Sequence, residues 1–283
     1  MILKLGSKGP AVVEAQQLLN RSEILCDLVV DGIFGPKTEA AVVAFQLARA
    51  LYDDGIIGSK TWAELRRGHE ALLLPWVRVS ADSYQDGYSS FQLREDVAEQ
   101  YMLVRDYCQE MGAKLTSSGS KRSLSAPVGS NRSAASLHYV GRALDLYVYS
   151  AMVDPDTDPY VVELDLTAER YWTVWARAPG GEQKTLDGFC YKGRQTKRTS
   201  GRFINLTQVF SKFGFERIRA RPSFFTNEAN NGGAEWWHFQ YQGGLVSGST
   251  TFGDELLRMY TIEQLVDTKP WRESGRVWGV NWG

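Results

Sequence analysis

The sequence predicts an α+β protein in two parts. A small three-helix domain is expected over residues 1–70, and a larger domain over 71–283 built on an antiparallel sheet with flanking helices. Three observations predict this. Residues 4–67 combine helical spacing with a turn that occurs twice. Residues 91–112 carry a long apolar stripe at steps of four and three. Short alternating, β-branched and aromatic segments then recur at 143–149, 161–167, 171–176, 215–219 and 236–241.

In the first domain, Val12, Ala15, Leu18 and Leu19 mark one helix, and Ala40, Ala41, Val43, Ala44 and Leu47 mark a second, with Phe45 close by. Asp31-Gly-Ile-Phe-Gly-Pro-Lys-Thr38 returns as Asp54-Gly-Ile-Ile-Gly-Ser-Lys-Thr61. Each copy sets an Asp-Gly turn before an apolar pair, a second glycine and a threonine that opens a helix. His69, among Arg66, Arg67 and Glu70, reads as an exposed histidine at a helix end.

In the second domain, Leu93, Val97, Tyr101, Val104, Cys108 and Met111 predict a core-facing helix ended by Gly112. Lys114 to Ser117 is expected as a short strand, and 118–135, rich in Ser, Gly, Asn and Arg, as a loop over the site. Residues 151–203 read as an insertion carrying two antiparallel strands. The basic run Lys192, Arg194, Lys197, Arg198 and Arg202 follows them, either a solvated loop or an attraction for anionic polymers. Asn205 N-caps a helix over 205–214 with Leu206, Val209, Phe210 and Phe213 inward. Residues 220–234 form a long loop, and Thr261-Ile-Glu-Gln264 has capping-box form. Trp271, Trp278 and Trp282 make the tail aromatic, for packing or for sugar stacking.

Composition bounds the function. At 283 residues, 43 % hydrophobic and 23 % charged, the chain reads as ordinary globular protein, and its net charge of -1 gives no reason to expect nucleic acid. Cys26, Cys108 and Cys190 are odd in number and far apart, which argues against a disulfide framework and a thiolate metal site. No stretch approaches the ~18 consecutive apolar residues of a membrane helix, and Met1-Ile-Leu-Lys-Leu-Gly-Ser lacks a secretory core.

The chemistry concentrates in two stretches, Ser136-Leu-His-Tyr-Val-Gly-Arg-Ala-Leu-Asp145 and Glu235-Trp-Trp-His238, which hold two of the three histidines in the chain. Two imidazoles and a carboxylate suit a catalytic zinc with an open position, and a further carboxylate can take a proton from water. Asp145 lies inside a strand-like segment, where an acid is costly to bury unless it is paired or ligates metal. Glu235 and His238 have opposite strand parity, so Glu235 is expected in the turn before the strand. The competing reading is two core histidines and a hydrogen-bonded acid.

The two-part pattern Ser-x-His-x-x-Gly-x-Ala-x-Asp and Glu-x-x-His resembles the zinc peptidases of bacterial cell walls, over residues 80–242. These are the D-Ala-D-Ala carboxypeptidases and dipeptidases and the L-Ala-D-Glu endopeptidases of phage lysins, which share a fold with hedgehog domains. The resemblance implies one zinc ion on His138, Asp145 and His238, with Glu235 as general base. It also implies an oxyanion-binding arginine in Ser118-Gly-Ser-Lys-Arg-Ser123, assigned to Arg122, with Lys121 or Arg132 as substitutes. Ser136 and Trp237 are expected at the substrate.

The first domain resembles the type 1 peptidoglycan-binding domain, in Leu5-Gly-Ser-Lys-Gly-Pro-Ala-Val12, in Asp31-Gly-Ile-Phe-Gly35 and in Thr61-Trp62. Glycan contact is expected in a groove near Phe34, Asp54 and Trp62. The whole is expected to be a monomeric, endolysin-like peptidoglycan hydrolase with bacterial peptidoglycan as its partner. It is expected to collect in the cytoplasm without a signal peptide and to act on the wall after release. A D-Ala-D-Ala carboxypeptidase or dipeptidase, and a non-catalytic zinc-containing wall binder, are the alternatives.

Overall fold

The structure, a computed structural model, describes residues 2–24, 26–67, 73–126, 133, 135–227, 229–245, 252–261, 264 and 265. His69, Arg132 and the three tail tryptophans lie outside these residues. The chain forms two compact units. One gathers the described residues of Met1–Leu74, Ser123–Ala135 and Leu245–Gly283, and the other those of Pro75–Arg122 and Ser136–Gly244.

The first unit is helical, with α1 (Pro10–Arg21), α2 (Pro36–Ala48) and α3 (Ser59–Arg66). Val12, Ala15, Leu18 and Leu19 are buried, as their spacing predicts. In α2 the buried face is Ala41, Val42 and Phe45, while Leu47 is 61 % exposed, so that stripe is read one position out of phase. The reason is that the inward polar groups Thr38 and Gln46 share the core face, which an apolar count cannot see.

The repeat proves to be a pair of identically wired turns. Gln16 Nε2 donates to Asp31, to the Ile33 carbonyl and to Thr38, and its Oε1 accepts from the Gly32 amide. Gln46 does the same for Asp54, the Ile56 carbonyl, Thr61 and the Gly55 amide. Both glutamines are buried, and these bonds satisfy amides that would otherwise be costly there. Gly55 has φ +71, and a Cβ there would meet Glu39 Cγ at 2.9 Å, so glycine is required.

The C-terminal segment departs from the expected 71–283 domain. A short helix, Phe252–Leu257, belongs to the first unit: Leu257 packs against that unit's core, and the Arg258 carbonyl accepts from the Leu74 amide at 2.8 Å. The reciprocal bonds of the capping box at Thr261 and Gln264 are both made, at 2.9 and 3.3 Å.

The second unit is α+β. Its elements are β1 (Trp76–Ser80), β2 (Ser90–Arg94), α4 (Glu95–Glu110), β3 (Ala143–Asp145), β4 (Tyr160–Leu164), β5 (Trp172–Cys190), β6 (Gln195–Asn205), α5 (Leu206–Lys212), β7 (Phe215–Arg217), α6 (Pro222–Thr226) and β8 (His238–Tyr241). Among the described residues they make three antiparallel sheets, β1-β2, β3-β8-β7 and β4-β5-β6. The expected helix over 91–112 begins only at Glu95, because Phe91 and Leu93 pair with Val79 and Val77 in a strand. Lys114 to Ser117 forms no ladder of its own, although the Leu115 and Ser117 carbonyls accept from Asp82 and Tyr88. The 151–203 insertion is larger in strand than expected, a long β5-β6 hairpin. The expected loop at 220–234 contains α6. As predicted, Asn205 caps α5, its Oδ1 accepting from the Gln208 amide at 3.0 Å.

The core of this unit lies between the sheets and α4 and α5. Phe210 stacks on Phe239 with ring centroids 4.1 Å apart, and Trp172 and Trp236 are almost fully enclosed. The cysteines are free, Cys108 and Cys190 buried and Cys26 half-buried. Among the described residues no helix is long and apolar enough to cross a membrane.

Candidate metal centre

His138, Asp145 and His238 come together through three short pieces of local structure. Leu137–Val140 is a single 3₁₀ turn that carries His138 inward. Gly141 ends it at φ +68, where a Cβ would stand 2.6 Å from the Arg94 amide nitrogen. The chain then enters β3 and reaches Asp145, which lies directly opposite His238 of β8 in the antiparallel register. Opposed residues on one face of such a pair bring their side chains into contact. On its other side Asp145 is paired with Gly119: its amide donates to the Gly119 carbonyl at 3.0 Å, and its carbonyl accepts from Ser118 at 2.8 Å.

One ligand atom from each of the three side chains lies within 4.8 Å of the others. His138 Nδ1 donates to the Ser120 carbonyl at 2.7 Å, which fixes the tautomer and leaves Nε2 as the atom facing the site. That Nε2 is 3.2 Å from His238 Nδ1 and 3.3 Å from Asp145 Oδ2, while His238 Nδ1 is 3.0 Å from Asp145 Oδ1. Two imidazole nitrogens and a carboxylate gathered this closely form a donor set that could hold a metal cation. Burial alone raises the Asp145 carboxyl, but the His138 and His238 rings outweigh it and hold the group well below the usual carboxylate range. An ionised carboxylate and two neutral imidazoles are the donor types zinc takes, with three ligands and a fourth position open. The residues present therefore fit the metal.

Glu235 sits in the turn before β8, as its parity predicts. Its carbonyl accepts from the His238 amide at 3.2 Å, which makes the Glu-x-x-His spacing one tight turn. Its φ of +55 is unusual for a residue with a side chain, and such conformations persist where the surroundings impose them. Its side chain meets Arg221, whose Nε donates to Glu235 Oε1 at 2.7 Å, with the carboxylate largely buried. Arg221 stands at the start of α6 and is itself fixed by its amide bond to the Gly233 carbonyl.

The other expected site residues fall differently. The Arg122 amide donates to the His138 carbonyl at 3.2 Å, and its guanidinium lies 5.4 Å over the Tyr139 ring. Ser136 is half-buried, and its carbonyl accepts from the Tyr139 amide to open the His138 turn. Trp237 is a correction: it lies in the core, 8 % exposed and edge-on to Trp236, with its carbonyl accepting from Leu146. With His238 facing the site, Trp237 and Phe239 have the opposite parity and turn inward. Phe34 and Trp62 need the same correction, because both belong to the core of the first unit at 1 % and 6 % exposure. Asp54 is exposed, but its carboxylate is held by Gln46 and the Ile56 amide of its own turn.

Sequence reasoning missed Ser120 and Arg221. Ser120 lies inside the Ser118–Ser123 stretch already singled out, but it acts through a carbonyl that every residue carries. Arg221 is 14 residues from Glu235 and no spacing links them.

Residues 8–65 match the family described as putative peptidoglycan binding domain. A curated protein of Kitasatospora aureofaciens, described as an uncharacterised protein in the bpoA1 3' region, is 45 % identical over 64 residues, covering 23 % of this chain and 54 % of that protein. The chain thus spans about half the length of that relative. A solved peptidoglycan-binding protein from Clostridioides difficile is 38 % identical over 23 % of this chain and 40 % of its own, with a TM-score of 0.22. A Burkholderia AP3 phage endolysin is 26 % identical over 40 % of this chain and 39 % of its own, with a TM-score of 0.23. On the family match alone, the first unit contains a peptidoglycan-binding domain at residues 8–65.

Proposed function

We propose that this chain is a zinc peptidoglycan hydrolase, endolysin-like in organisation, that cuts a peptide bond in the wall's stem peptide or cross-link. The observation that carries this reading is the convergence of His138 Nε2, Asp145 and His238 Nδ1, with His138 oriented from behind by the Ser120 carbonyl. One zinc ion would be held by these three residues. When bound, it supplies Lewis acidity toward a carbonyl oxygen and lowers the pKa of water.

Glu235 is the proposed general base. Its carboxylate takes a proton from the attacking water and returns it to the leaving amine. Arg221 keeps that carboxylate in place and compensates its burial. Arg122 is proposed to stabilise the developing oxyanion, since it is tied through its amide to the segment that carries His138. Ser136, on the same segment, is proposed to contact the substrate. The peptidoglycan-binding domain raises the effective concentration of substrate on an insoluble wall.

The deciding experiment measures zinc content and wall hydrolysis on one Glu235→Gln sample. Zinc should stay stoichiometric while turnover falls by roughly 10²–10⁴-fold. Near-normal turnover with full zinc would remove Glu235 from the mechanism and leave a wall binder as the better reading. Mass spectrometry of digested peptidoglycan then names the bond, with free D-Ala as the mark of a carboxypeptidase and new internal termini as the mark of an endopeptidase.

A further inference from the structure

The basic run that the sequence shows at Lys192–Arg202 does not survive as a patch. Lys197 pairs with Asp154 and Asp156 at 2.7 and 2.8 Å, and Arg198 with Asp187 at 2.9 Å. Arg194 donates to the Phe224 and Asn227 carbonyls at the end of α6. Lys192 is exposed, and Arg202 turns elsewhere, into a cleft of about 470 Å³ whose lining includes Tyr84, Lys114, Thr157, Arg177 and Pro179.

This cleft is unusual in its charge. Its described lining holds three cations and no Asp or Glu, in a chain whose 32 basic and 33 acidic residues almost balance. Arg202 spends Nε on the Pro179 carbonyl at 2.7 Å, and Lys114 stands 5.7 Å over the Tyr84 ring. Among the described residues neither has a carboxylate within ion-pair distance. The nearby acid, Asp158, is buried and accepts from the Val153 and Asp154 amides.

The walls are fixed. Arg177 donates through Nε to the Asp158 carbonyl and through Nη2 to Thr199 and the Pro155 carbonyl, so its position is set from behind. Pro179 packs against the turn at Gly112, where a Cβ would meet its Cδ at 3.0 Å, and the next residue, Gly180, donates to the Met111 carbonyl at 2.9 Å. Lys114 and Arg202 therefore project from a preformed concavity, with an ammonium and the outer guanidinium nitrogens uncommitted. Guanidinium and ammonium donors that converge in a cleft match the oxygens of a carboxylate.

We propose that the Lys114–Arg177–Arg202 cleft is a second wall-binding site, which takes a free carboxylate of the peptidoglycan stem peptide. The choice of source rests on the peptidoglycan-binding domain in the same chain, since stem peptides bear free carboxylates wherever they are not amidated or cross-linked. It does not rest on the hydrolase reading, because binding is measured without turnover. The site adds an electrostatic contact from the second unit, independent of the helical one.

The test is co-sedimentation of the full chain with purified peptidoglycan chemically stripped of phosphate-bearing polymers, read across a salt series. The double variant Lys114→Gln, Arg202→Gln should bind about fivefold more weakly at low salt, with the gap closing as salt screens the contact. The swap Lys114→Arg, Arg202→Lys, which keeps both charges, should restore binding. Arg78→Gln, an exposed charge elsewhere on the same unit, should change nothing. Hydrolysis of a soluble stem peptide should be unaltered in all of them, and an unchanged melting temperature shows that they fold. The proposal is overturned if the double variant sediments like the parent, if Arg78→Gln loses as much, or if the charge-dependent difference appears only on walls that retain phosphate polymers.

Discussion

The residues of the candidate site depend on contacts that differ for each. His138 is set by the Ser120 carbonyl, Asp145 by its place opposite His238, and Glu235 by Arg221. Replacing His138 or Asp145 with Ala should abolish stoichiometric metal and activity together, measured by metal analysis and wall turbidity on the same preparation. Arg221→Gln should keep the metal, because its ion pair is with Glu235, which lies outside the proposed donor set, yet lower kcat by about tenfold or more through a misplaced Glu235. Unchanged kcat in that variant would make Arg221 a packing residue only. The ligands were legible because histidine is scarce in this chain and the two motifs are compact. Arg221 was not, since a salt bridge across a loop leaves no periodic trace.

Asp158 gives a pH test at the same scale. Burial pushes its carboxyl up to about 6, against the amides of Val153 and Asp154 that favour the charged form. An acid whose folded pKa is raised holds its proton longer in the native state. Stability should then fall as pH rises from about 4, the unfolded value, to about 6, and stay reduced above that. The loss is up to about 3 kcal/mol at neutral pH. Asp158→Asn keeps an oxygen for the two amides and removes the charge. Its thermal unfolding should therefore lose this slope between pH 4 and 6. A slope as steep as the parent's would assign the effect to another group.

Among the elements, the glutamine-centred turns are the clearest case of sequence outrunning its first interpretation. The repeat reads as a wall-contact motif, but Asp54 and its neighbours are occupied in building the turn, and Phe34 and Trp62 in filling the core. Gln46→Leu should cost about 2–3 kcal/mol, because it leaves the Gly55 amide and the Asp54 carboxylate without their partner. Chemical denaturation monitored on the first unit measures this, and a loss below half a kcal/mol would show that water substitutes for the amide. Asn205 and the Thr261–Gln264 capping box were readable because caps are local chemistry. The start of α4 was not. Leu93 satisfies a helical stripe and a strand alternation equally, and only the presence of Trp76–Ser80 alongside decides for the strand.

On the scale of the whole molecule, the segment that matches the peptidoglycan-binding family and the candidate metal centre lie in different compact units. The matched peptidoglycan-binding segment, 8–65, contains none of His138, Asp145, Glu235 or His238. A chelator should therefore abolish hydrolysis and leave co-sedimentation with peptidoglycan unchanged, with zinc restoring turnover. If chelation also released the protein from the wall, the two activities would share one site. The grouping of Phe252–Leu257 with the helical unit leaves no trace in the sequence, because a C-terminal segment that returns to the first unit gives no signal in local periodicity.

The pairing of Asp145 with His238 has a consequence for how the molecule assembles. The two residues are 93 positions apart and meet only through the register of β3 on β8. Side chains alternate along a strand, so a slip of one position would turn either Asp145 or His238 to the wrong face and dismantle the donor set. The β5-β6 hairpin in the intervening chain closes locally and shortens the remaining search, but the long-range pairing still carries the larger loop-closure cost. Zinc uptake during refolding should therefore lag the formation of most secondary structure, and the newly made chain would be metal-incompetent until its register is correct. On the proposed zinc reading, acquisition of the ion would be a proofreading step that only the properly threaded protein passes.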